Sequence, residues 1–153
     1  MASIKNEFNT SAALTITLAS LADSAGRAAT AVDNSTNKFI SADVRVKIKT
    51  GATGVSATGY VAVYLVRSED GASYDDGFAG TDAAFTPVNA TLLGVLTANA
   101  NATTYNGVFD LAQLGITLPK KWSIAVVNKT GVALDATGAN HEVKYTEKYF
   151  TVA

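Results

Sequence analysis

Apolar and polar residues alternate in short runs along most of this chain, and no stretch keeps the 3.6-residue period of a long helix. From Ala12 to Leu18, Leu14, Ile16 and Leu18 fall on one side, with Thr15 and Thr17 opposite. From Phe39 to Lys49, Val44, Val46 and Ile48 point one way and Arg45, Lys47 and Lys49 the other, the pattern of a half-buried strand. Tyr60 to Val66 is almost wholly apolar, as expected of a strand covered on both faces, in a sandwich or under a neighbouring subunit. Leu92 to Thr97, Thr103 to Phe109, Trp122 to Asn128 and Glu142 to Val152 read as further strands, and Asp110 to Gly115 suits one helical turn. Turn residues separate these runs, so the pattern predicts an all-β, antiparallel β-sandwich or jelly-roll-like domain of about seven or eight strands. The expected core is Leu14, Ile16, Val44, Val46, Ile48, Val63, Leu65, Ile124 and Val126.

No linker divides the 153 residues, so one domain is expected over 1–153, with an N-terminal arm over about 1–10. The start of the chain lacks the basic and then apolar pattern of a signal peptide, and the absence of cysteine fits a protein made in the cytosol. No run approaches the ~20 apolar residues of a membrane-spanning helix, so no membrane partner is expected. Twelve Lys and Arg face thirteen Asp and Glu, a net charge of −1, which argues against a nucleic-acid partner. Five Asn-x-Ser/Thr sequons, beginning at Asn9, Asn34, Asn89, Asn101 and Asn128, read as by-products of a chain rich in Asn and Thr.

Residues able to do chemistry are scarce. There is no cysteine, one histidine (His141) and one tryptophan (Trp122). His141 has neighbouring carboxylates at Glu142 and Asp135, but no Gly-x-Ser-x-Gly turn supplies a nucleophile. Glu69, Asp70, Asp75, Asp76 and Asp82 crowd the irregular segment Arg67 to Asn89, yet their spacing is not that of an EF-hand loop. Glu142 and Glu147 stand at odd spacing on one strand and therefore face opposite sides, unlike a glycosidase pair. Gly51, Gly54 and Gly59 lie between strands and form no phosphate-binding loop. The reading is therefore a non-enzymatic protein with no catalytic residue, no cofactor and no metal.

The remaining candidates are surfaces. Arg45, Lys47 and Lys49 form a basic stripe that Lys120, Lys121, Lys144 and Lys148 extend, suited to a solvated face or to an acidic protein surface. Trp122 and the tyrosines 60, 64, 74, 105, 145 and 149 suit interface anchors or sugar stacking, with Trp122 better placed for the core. Ile4 and Phe8 in the N-terminal segment, and Tyr74, Phe78 and Phe85 in the long loop, are apolar groups on segments that otherwise read as exposed. These five and the basic stripe are the expected partner contacts.

Most of the chain resembles a family of small virion structural proteins of tailed bacteriophages. The resemblance runs through Ser11–Leu21, Thr30–Thr36 and Val46–Thr58, and continues through Ala98–Tyr105, Leu118–Asn128 and Thr130–Asn140. These are scaffold and turn segments, and none is a catalytic signature. The resemblance implies a capsid decoration (cement) protein on the virion surface. It would contact the major capsid protein, and itself as a dimer or trimer, bridging and stabilising capsid subunits. A tail or head-fibre component binding host-surface carbohydrate is the alternative.

Overall fold

The computed structural model describes residues 3–152, so Met1 and Ala2 of the expected arm and Ala153 lie outside the described residues. The chain forms an all-β sandwich of two antiparallel sheets. Seven strands have five residues or more: β1 (Ile4–Phe8), β5 (Ser41–Lys49), β6 (Tyr60–Ser68), β8 (Thr91–Thr97), β9 (Thr104–Asp110), β10 (Lys121–Lys129) and β11 (Glu142–Val152). Four shorter ones join them: β2 (Ala12–Ala13), β3 (Gly26–Ala28), β4 (Val32–Asp33) and β7 (Ala83–Ala84). The first sheet runs β1-β11-β5-β9, with β2 also on β11. The second runs β7-β3-β10-β6-β8, with β4 also on β10.

The alternation places the core between the sheets. Val44, Val46, Ile48 and Val143 from the first sheet meet Val61, Val63, Leu65, Trp122, Ile124 and Val126 from the second, all buried. Every expected core residue joins this cluster, Ile16 as a half-buried member. The run Ala12 to Leu18 departs from expectation. Only Ala12–Ala13 is a strand, although Leu14 and Leu18 remain buried and Thr15 and Thr17 exposed. The reason is that the chain changes sheets here. The N–H of Leu14 donates to Val143 O in the first sheet, while Thr15 O accepts from Thr30 N on the second. Extended chain that bonds to two sheets in turn keeps its alternation without belonging to a ladder.

A second, smaller core lies on the outer face of the second sheet. Phe78 and Phe85 are only 8% and 6% exposed, and they pack with Ala28, Val66 and Ala125, flanked by Tyr64 and Tyr74. The rings of Tyr74 and Phe78, and of Phe78 and Phe85, meet edge to face at 5.3 and 5.9 Å. This is what covers the second face of Tyr60–Val66 at Tyr64 and Val66: its own long loop, folded back over the sheet, while Tyr60 stays exposed. Gly26 on β3 permits the approach, because a Cβ there would sit 2.3 Å from Phe85 O.

The acidic residues of that loop organise its backbone. Asp70 accepts from the N–H groups of Ala72 and Ser73 at 2.8 and 2.7 Å, and Asp75 from Arg67 N at 2.9 Å. Asp76, in the left-handed region at φ 55°, accepts from the N–H groups of Val88, Asn89 and Ala90. Asp82 pairs with Arg27 at 2.6 Å and accepts from Thr17 Oγ1. Among the described residues no three His, Asp or Glu side chains converge as metal ligands.

Candidate functional site

A cluster of four exposed apolar side chains follows from the lengths of two strands. β5 stops at Ser41, opposite Lys148 of β11, but β11 continues to Val152 with β1 alone beside it. Residues 4–7 and 149–152 thus overhang the sheet as a two-stranded ribbon. Ile4 faces Val152, Asn6 faces Phe150 and Phe8 faces Lys148, so Ile4, Phe8, Phe150 and Val152 share one face. They are 73, 58, 62 and 73% exposed. The other face turns Tyr149 toward Phe39, ring centres 5.6 Å apart.

Phe8 also roofs an ion cluster built from three strands. Lys148 Nζ lies 2.7 Å from Asp43 Oδ1 and 2.9 Å from Asp110 Oδ1, and the Phe8 ring centre is 5.7 Å away. Burial alone lowers the pKa of Lys148, but the two carboxylates outweigh it and the net direction is up. The hydrogen bond from Lys148 holds Asp110 below its ordinary value.

Beneath the ribbon, on the opposite face of β11, Glu147 is buried. Its Oε2 accepts from Asn9 Nδ2 at 3.0 Å, and its carbonyl accepts from Asn9 N at 2.8 Å. Desolvation raises its pKa, with Asn9 opposing. A raised carboxyl pKa adds stability below the unfolded value and loses it as pH rises through the folded value. Glu147→Gln keeps an acceptor for Asn9 without the charge. It is expected to raise the melting temperature at pH 7, and the gain should vanish near pH 4, where both side chains are neutral. A thermal melt of both proteins across that range checks it.

The basic stripe is largely occupied within the chain. Arg45 reaches Asn106 Oδ1 at 3.4 Å, Lys47 donates to Ala139 O at 3.1 Å and Lys49 pairs with Asp135 at 3.6 Å. Lys144 lies beside Arg45 on the same outer face but pairs with Glu142 at 2.9 Å, and Lys148 is locked in its cluster. Lys120 lies just before β10 and Lys121 opens it, in the other sheet, where Lys121 reaches Asp33 at 3.8 Å, so they do not extend the stripe. His141 is hydrogen-bonded within the fold: Nε2 lies 2.8 Å from Asp135 O, and Nδ1 accepts from Lys49 N at 3.4 Å. Asp135 accepts from Asn140 Nδ2 and Thr137 N, which hold its carboxyl at about 2.

Of the five apolar residues expected to be partly wet, Ile4 and Phe8 are exposed and Tyr74 is half-buried. Phe78 and Phe85, beside Tyr74, are corrected to internal core, because the loop has a sheet face of its own to cover. Tyr74 does line an open, polar cavity of about 550 Å³ with Arg67, Glu69, Asp70, Asp75 and Asn89. Phe150 and Val152 went unnoticed in the sequence. Their alternation in β11 resembles that of a core face, and only the early end of β5 exposes them.

No protein-family model matches this chain, and no curated protein matches it.

Proposed function

We propose that this protein is a structural component of a tailed-phage virion, a decoration protein seated on the capsid surface that bridges and stabilises major capsid subunits. The observation that carries the reading is the ribbon of β1 and β11, which holds Ile4, Phe8, Phe150 and Val152 out of the sandwich on one face. An apolar face of this kind on a domain with a complete core of its own suits a protein surface that covers it. Burial there contributes roughly 25 cal/mol per Å² before association costs, and many copies multiply a modest contact. The acidic and histidine side chains engaged in loop structure fit a scaffold better than a catalyst.

Binding to purified heads that lack the protein tests this. The full chain should load at high copy number, and deletion of residues 1–8 should lower occupancy sharply while the remaining domain keeps its circular dichroism. Equal occupancy with and without the segment would overturn the role of the ribbon. A few copies per particle would instead favour a tail or fibre position. That second reading, a carbohydrate binder, draws on the cavity lined by Tyr74, Arg67 and Asn89. Its carboxylates Asp70 and Asp75 already hold backbone N–H groups, which leaves fewer acceptors free for a sugar.

A further inference from the structure

We propose that two copies of this chain join edge to edge through β1, antiparallel and centred on Asn6, into one continuous sheet. This names the self-association that the decoration reading calls for. Its test uses no particle, so the two can fail separately.

β1 is the last strand of its sheet. The N–H of Asn9 donates to Glu147 O, in the register that pairs Phe8 with Lys148. In an antiparallel ladder, alternate residues bond to the same neighbour. Lys5 and Glu7 therefore direct their backbone groups to β11, while Ile4, Asn6 and Phe8 direct theirs to the open edge. A two-fold axis through Asn6 sets Ile4 opposite Phe8 of the second copy, Asn6 opposite Asn6, and Phe8 opposite Ile4. These are the pairs whose N–H and C=O groups point outward.

The same register sets Lys5 of each copy opposite Glu7 of the other, as the closer, non-hydrogen-bonded pairs. Among the described residues neither side chain takes part in an ion pair within the chain. The registers one allowed step to either side would centre on Lys5 or on Glu7 and bring like charges face to face, which destabilises a strand pair. The segment Ile4-Lys5-Asn6-Glu7-Phe8 is thus self-complementary in one register. The two-fold axis stands perpendicular to the sheet. It therefore places Ile4, Phe8, Phe150 and Val152 of both copies on a single face, where Ile4 and Phe8 shield one another across the new strand pair.

Sedimentation equilibrium of the full chain at micromolar concentration should show a dimer. Lys5→Glu and Glu7→Lys, made singly, set like charges opposite one another twice per dimer and should weaken it by about tenfold or more. The two together restore opposite charges and should restore the dimer. Asn6→Pro removes an N–H that faces away from β11, and should give a monomer with an unchanged circular dichroism spectrum. A monomeric wild-type chain, a dimer indifferent to the single reversals, or a folded double variant that stays monomeric would each overturn the pairing. The reversals carry the test alone if the proline variant unfolds, since Lys5 is exposed and Glu7 only half-buried.

Discussion

Trp122→Ala is expected to destabilise the domain by about 3–5 kcal/mol, a large share of the total stability of a domain this size. Trp122 has no exposed surface, and its ring meets Tyr145 of the opposite sheet edge to face, centres 5.1 Å apart. Removing it opens a cavity where β10 and β11 face each other, a place neither sheet can close without moving. The melting temperature should fall by about 10 °C or more. Trp122→Phe retains much of the ring's packing. The indole Nε1 is buried without a hydrogen-bond partner, so phenylalanine loses volume but also removes an unsatisfied donor. Its loss should be clearly smaller than that of alanine. Equal losses in urea titrations of the two variants would mean that the ring retained by phenylalanine contributes no packing there.

Lys148→Met is the second large effect, and its size depends on pH. The substitution leaves Asp43 and Asp110 on adjacent strands, with the cation that both contacted removed. Breaking a buried pair this way is strongly destabilising, and the partial exposure of both carboxylates discounts it to about 2 kcal/mol at pH 7. The sign follows from the shifts. Asp110 is held low, so its contribution is present above the ordinary carboxylate range and lost as pH falls through its depressed value. Lys148 is held high, so its contribution is present at neutral pH and lost only above its raised value. The gap between wild type and variant should therefore narrow as pH falls below the ordinary carboxylate range and through the depressed value of Asp110. A gap that stays constant from pH 7 to pH 3 would assign the loss to packing under Phe8.

The fold class was legible in the sequence because alternation is a local property. Val44, Val46 and Ile48 must share a face in any strand, and with basic residues between them that face turns inward whatever the strand pairs with. Trp122 followed by the run to Asn128 was readable as core for the same reason. Of the candidate surface, Ile4 and Phe8 could be picked out because bulky apolar residues in a polar N-terminal segment lack a core pattern of their own.

The rest depends on distances between segments far apart in the chain, and the sequence carries no local sign of them. Phe78 and Phe85 look like Ile4 and Phe8 in sequence, yet they are buried, because the outer face of Tyr60–Val66 lay within reach of the loop that bears them. Lys148 reads as one more member of a basic stripe until β5 and β9 bring Asp43 and Asp110 beneath it. Phe150 and Val152 read as strand interior until β5 ends at Ser41 and leaves them overhanging. Alternation along a strand determined which side chains share a face. Which faces are covered was decided by how far each neighbouring strand extends and where the long loop folds.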